Sequence, residues 1–202
     1  MALQVKVSCF GSPKPANIDG CLCANFYMKI LALSGSLRRD SLNTAVLKAV
    51  KRLAPTHISV ELFVDLGNMP LFNPDLEEAG HPVVENLLAK LLAADAVIIA
   101  SPEYAHGISG VMKNALDWMV SRSGFVDKPV VLLNISPRAN HAYTSLTEIL
   151  IVMAARIIAE ASITVPILGS HIDEAGILSD EDICKALIEA LQVLQTAVDN
   201  VQ

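Results

Sequence analysis

The chain has 202 residues, 52% of them hydrophobic and 18% charged, with a formal net charge of −6. That length suits one domain with a full core, and that composition excludes a disordered chain. The acidic balance argues against general nucleic-acid binding, and no apolar run reaches the roughly 18 residues a bilayer span needs.

Residues 1–27 stand apart from the rest. Ser12-Pro13-Lys14-Pro15-Ala16-Asn17 is turn-rich, no periodicity persists, and no apolar stretch forms a secretory core. The segment reads as a loose extension ahead of a domain at 28–202; an arm that packs on a partner subunit is the alternative. Cys9, Cys21 and Cys23 fall in it, and Cys21-Leu22-Cys23 lacks the two-residue spacer of a zinc or redox pair. With Cys184 they read as reduced thiols of a cytoplasmic protein, and no metal site is expected.

From Met28 the chain alternates strand and helix patterns. An apolar run over about 29–34 predicts the first strand. Leu42, Ala45, Val46, Ala49, Val50 and Leu53 recur at helical spacing and predict a helix over 42–54. Strand two follows at 57–64, and a helix at 81–93 carries a stripe of Val84, Leu87, Leu88, Leu91 and Leu92. Strand three is Ala96–Ala100, with a helix at 108–121 after it. Strand four is 130–135 and a helix follows at 143–158. Strand five at 161–167 and a helix at 180–198 complete the pattern.

Strands that alternate with helices imply right-handed crossovers and a parallel sheet. Strands one, three and four are continuously apolar, as central strands should be. Strands two and five alternate, as edges do. The expected fold is α/β, a flavodoxin-like doubly wound five-stranded parallel sheet in the order 2-1-3-4-5. Its switch point lies between strands one and three, so the loops after them share one crevice.

The first of these loops is Ser34-Gly35-Ser36-Leu37-Arg38-Arg39-Asp40-Ser41-Leu42-Asn43. A strand that hands over to a helix N-terminus through such a loop makes an anion site. Free N–H groups and the positive end of the helix dipole point the same way. Ser36, Ser41 and Asn43 add neutral donors, and Arg38 adds a fixed charge. Ser41 also fits a helix cap, and the two roles are compatible.

The second loop is Ser101-Pro102-Glu103-Tyr104-Ala105-His106-Gly107-Ile108-Ser109-Gly110. Gly107 and Gly110 allow close approach of a flat ligand, and Tyr104 has a ring to border it. A phosphate socket joined to a flat slot has the shape of FMN.

These two stretches, with Lys113-Asn114-Ala115-Leu116-Asp117-Trp118, resemble the two signatures of the NADPH-dependent FMN reductase family. The resemblance covers about 28–160. It implies FMN as cofactor, NADPH or NADH as co-substrate, a homodimer or homotetramer, and a small-molecule electron acceptor such as a flavin, quinone, azo dye or metal oxyanion. The residues it puts around FMN are Ser36, Arg38, Ser41, Leu42, Asn43, Pro102, Glu103, Tyr104, Gly107 and Ser136, with no catalytic side chain. The chain departs from the family pattern at Ala105-His106, at Ser109, and in Ser136-Pro137-Arg138-Ala139-Asn140-His141-Ala142. Trp118 is expected in packing or at an interface, and Asn114 and Asp117 in fixing a loop. His106 and His141 are loop histidines open to acid–base work or to simple solvation. A flavodoxin-type electron carrier without its own substrate is the alternative function.

Overall fold

The computed structural model describes residues 28–137, 140–165, 167 and 172–200. The leading segment 1–27, with Cys9, Cys21 and Cys23, lies outside the described residues.

Met28–Ser34 forms β1, Leu42–Leu53 α1, Ile58–Phe63 β2, Pro82–Ala93 α2 and Ala96–Ala100 β3. Glu103–Tyr104 and Gly107–Ile108 form β4 and β5, and Gly110–Met119 forms α3. Pro129–Leu132 is β6, Asn140–Val152 α4, Arg156–Ile157 β7, Glu174–Ser179 α5 and Glu181–Asp199 α6. The main sheet has five strands in the order β2-β1-β3-β6-β7, and every pair in it is parallel. This is the expected doubly wound order.

Alternate residues of each central strand feed opposite faces, because strand side chains alternate. Ile30 and Ala32 of β1, with Ile98 of β3, join a core built with Val46, Leu47 and Val50 of α1 and Leu187, Leu191 and Leu194 of α6. Leu31, Leu33, Val97 and Ile99 join the other core, with Leu87 and Leu91 of α2, Met112 and Trp118 of α3, and Leu146 and Leu150 of α4. Both faces of the sheet are therefore covered by helices, which is why its strands are continuous apolar runs.

Two expectations need correction. The fifth strand is Arg156–Ile157, not 161–167, and α4 ends at Val152, not near 158. Ala154 takes a left-handed conformation (φ 57°) and stops the helix without a Gly or Pro to mark the place. The expected segment still runs beside the end of β6: Thr164 bridges Asn134, and the Asn134 N–H donates to Ile163 O. Its start is not strand, because the turn at 158–162 puts the Ser162 hydroxyl, not a backbone carbonyl, opposite the Leu132 N–H at 3.0 Å. The second correction concerns the helix expected from 108. It starts at Gly110, and the residues before it form the β4–β5 hairpin.

Candidate functional site

The carboxyl ends of β1, β3 and β6 open on one side of the sheet, and the loops that follow them meet there. The β1 and β3 ends are pressed together: Ser34 is in register with Ala100, and the Gly35 N–H donates to Ala100 O at 2.8 Å.

The loop after β1 is braced from within. Ser34 and Thr44 share a hydroxyl hydrogen bond of 2.7 Å, which ties the strand end to the first turn of α1. Ser36 Oγ accepts from the Arg38 N–H at 3.3 Å. Ser41 is the N-cap of α1, its hydroxyl accepting from the Thr44 N–H at 3.3 Å. No acidic residue occupies the first turn of α1. The N–H groups of Leu42 and Asn43 thus face outward with the positive end of the helix dipole behind them.

A cleft of about 360 Å³ lies where the three loops meet. Leu42 and Asn43 line it from α1, Ser101, Pro102 and Glu103 from the loop after β3, and Asn134, Ile135 and Ser136 from the loop after β6. Asn43 is buried, and its side-chain oxygen has no hydrogen-bond partner among the described residues. A second cavity of about 440 Å³ flanks the same helix end on its outer side, with Arg38, Ser41 and Leu42 in its wall.

Of the expected site residues, Leu42, Asn43, Pro102, Glu103 and Ser136 come together in the cleft. Leu42 belongs to both cavities, and Arg38 and Ser41 meet it from the outer one. Ser36 is half-buried inside the loop, Tyr104 is exposed at the tip of the hairpin, and Gly107 follows the turn. Ser101, Asn134 and Ile135 line the cleft without having been singled out. Their signal was positional, since each stands at the carboxyl end of a central strand.

Glu103 holds the rim together. Its Oε2 accepts from the Ala142 N–H at 2.9 Å, so it caps the first turn of α4 from the hairpin. Its Oε1 lies 3.2 Å from His106 Nδ1. The Ala142 hydrogen bond holds the Glu103 carboxyl below its usual range; burial opposes this, and His106 and His141 reinforce it. The turn that carries His106 has two successive left-handed residues, Ala105 (φ 50°) and His106 (φ 61°), as a tight two-residue hairpin turn requires.

The run from Lys113 to Trp118 on α3 serves structure. Trp118 is 1% exposed, stacks edge-on with Phe72 at 5.2 Å, and donates from Nε1 to Pro70 O at 2.8 Å. Asn114 donates to the same carbonyl at 2.9 Å and accepts from the Phe72 N–H at 2.8 Å. The expectation that Trp118 packs and Asn114 fixes a loop holds for the 70–72 segment. Asp117 pairs with Lys113 one turn earlier. The hydroxyl of Ser109 caps α3 by accepting from the Met112 N–H at 3.3 Å.

A doubly wound sheet with its switch-point loops closed around a bare helix N-terminus defines a mononucleotide-binding protein of flavodoxin type. The chain belongs to the NADPH-dependent FMN reductase family, whose model matches residues 28–169. It is thereby an oxidoreductase with FMN as its cofactor and a reduced nicotinamide as its reductant.

The chain is 33% identical over 175 residues to an NAD(P)H-dependent FMN reductase of Pseudomonas aeruginosa, covering 83% of this chain and 94% of that one. It is 40% identical to an NADPH:quinone oxidoreductase of Arabidopsis thaliana over 114 residues, 53% of this chain and 57% of the other. A 2-hydroxy-1,4-benzoquinone reductase of a Burkholderia species is 41% identical over 91 residues, 45% of this chain and 49% of that protein. The fold is similar to that of FerB, a flavoenzyme NAD(P)H:(acceptor) oxidoreductase of Paracoccus denitrificans. The TM-score is 0.76 at 24% identity, over 86% of this chain and 98% of FerB. Among the described residues no helix is long and apolar enough to cross a membrane.

Proposed function

We propose that the protein transfers hydride from NADPH or NADH to quinones or flavins in two half-reactions that use one open cleft in turn. FMN, when bound, supplies the redox chemistry itself. Everything else is the work of the chain. Ser36, Arg38, Ser41, Leu42 and Asn43 hold the phosphate and its neighbouring chain at the start of α1. Pro102, Glu103, Tyr104, Gly107 and Ser136 border the ring.

The observation that carries this reading is the orphaned Asn43 oxygen, buried beside a helix N-terminus in a cleft of about 360 Å³. A buried acceptor without a donor costs about 1–3 kcal/mol, so its survival points to a ligand donor. Phosphate offers no donor, but the ribityl hydroxyls of FMN do. Rotation of the amide by half a turn presents its nitrogen to the phosphate instead, so either orientation is served by the same ligand. The first turn of α1, which carries no acidic residue, and the Arg38 guanidinium in the adjoining cavity wall supply positive potential for a dianion. The only ionisable side chain lining that cleft among the described residues is Glu103, and it is committed to Ala142 and His106. A reaction carried by the cofactor fits a cleft so poor in acid–base groups.

The relatives that reduce quinones and flavins support the acceptor class, and the same kinship supports a homodimer or homotetramer in the cytoplasm. Purified protein titrated with FMN should bind it, and NADPH should bleach the bound flavin without air. Benzoquinone should then restore the colour. A protein that binds no FMN, or whose flavin both NADPH and NADH leave oxidised, is not this enzyme.

A further inference from the structure

We propose that His106 is the proton donor to the reduced acceptor, with Glu103 and His141 as its positioning residues. The inference rests on the reductase reading and adds to it the second proton of the reaction.

Reduction of a quinone to a hydroquinone takes up two electrons and two protons. One hydride brings both electrons and one proton, oxidising the reduced flavin. The other proton must reach the oxygen that has become a phenolate. Proton delivery by a positioned side chain is worth about 10²–10⁴-fold where the chemistry needs it. Glu103 lines the cleft, but its carboxyl lies below its usual range and is ionised, so it has no proton to give. His106 meets it from the turn of the same hairpin.

The geometry of the rim has three parts. An ionised carboxylate only accepts, so the His106 Nδ1 that meets Glu103 Oε1 at 3.2 Å carries the hydrogen of that contact. This leaves Nε2 as the outward atom of a ring whose side chain is 78% exposed, while the Glu103 side chain is only 13% exposed. Second, the ring of His141, on the first turn of α4, meets the His106 ring edge-on with centroids 4.5 Å apart and planes at 70°. Third, Ala105 and His106 are the two-residue turn of the β4–β5 hairpin, so His106 is carried by the same hairpin as Glu103. Among the described residues, Glu103 and His141 are the ionisable groups that meet His106, one from the hairpin and one from α4.

In the transfer the Nε2–H bond of the His106 imidazolium breaks and the O–H bond of the hydroquinone forms. The imidazole then takes a proton from water. A one-electron oxidant such as ferricyanide needs no proton, so it reports the cofactor without the relay.

The test compares benzoquinone with ferricyanide on the FMN-loaded protein. In His106→Gln the benzoquinone rate should fall at least 10-fold relative to the ferricyanide rate on the same sample. In His106→Ala, imidazole added to the buffer should restore part of the benzoquinone rate. A second readout needs no turnover: nitrogen NMR of the ring should show the Nδ1–H form of neutral His106 in the parent protein and a mixture in Glu103→Gln. An unchanged rate ratio or absence of rescue overturns the proposal. Failure of both NADPH and NADH to bleach the flavin of the parent protein overturns the reductase reading itself. Bleaching with an unchanged ratio overturns only the role of His106.

Discussion

Gly35 and Ser101 meet so closely that a Cβ on Gly35 would stand 2.2 Å from the Ser101 hydroxyl and 3.0 Å from its Cα. This contact joins the ends of β1 and β3 at the switch point, and Ser101 lines the cleft. Gly35 is there for space, since its backbone conformation is one other residues adopt. Gly35→Ala must push the loop after β3 outward, at a cost of about 1–3 kcal/mol, as overpacking a tight site does. Thermal melting should show that loss, and a titration with FMN should show weaker binding. An unchanged melting temperature would mean that the two loops are not held against each other.

Arg38 is exposed and forms no salt bridge among the described residues, although Asp40, Asp173 and Glu174 share its cavity wall. If it faces the phosphate, Arg38→Ala removes a charged hydrogen bond worth about 1.5–3 kcal/mol, or roughly 10–150-fold in affinity. The loss should appear with FMN and not with riboflavin, which lacks the phosphate. Equal weakening of both ligands, by fluorescence titration, would place Arg38 elsewhere.

Much of this arrangement is legible in the residues themselves. β1, β3 and β6 are recognisable because strands covered on both faces have no polar alternation, and the sheet order follows from which strands do alternate. The start of α1 is legible because Ser41 is a strong cap followed by helical periodicity. The end of α4 is not, because Ala154-Ala155 carries no stop signal and the left-handed turn there is set by packing. The β4–β5 hairpin was hidden for a related reason. Ala105-His106 lacks the Asn-Gly or Gly-Gly that announces such a turn, and it is the Glu103 contacts to α4 that hold it in place. Half of the site was thus visible as motif, whereas Ser101 and Asn134 matter by position alone.

The Pro70 carbonyl receives two hydrogen bonds, from Asn114 Nδ2 and Trp118 Nε1. Asn114→Ala leaves the Phe72 N–H without its acceptor as well, so it should cost more than Trp118→Phe, about 1–3 kcal/mol against about 1 kcal/mol. The two changes act on one carbonyl, so their effects should not add. Urea melts of the two single variants and the double variant measure this. Strict additivity would show that the clamp is not shared.

Glu103 makes the contact between the hairpin and α4 sensitive to acid. Its carboxyl sits below the ordinary value of 4.5, first because the Ala142 N–H donates to it. A group with a lowered folded pKa binds its proton more readily in the unfolded chain. Its contribution to stability is therefore complete above about 4.5 and is lost as the pH falls through the lower folded value. Glu103→Gln keeps an acceptor for Ala142 but has no charge to lose. The melting temperature of the parent protein should exceed that of Glu103→Gln at pH 7, and the gap should close as the pH falls through the lowered folded value. The loss should be local at first, with the amide of Ala142 exchanging faster with solvent than those of the central strands. A gap that persists unchanged at low pH would mean that the neutral acid serves α4 as well as the carboxylate does.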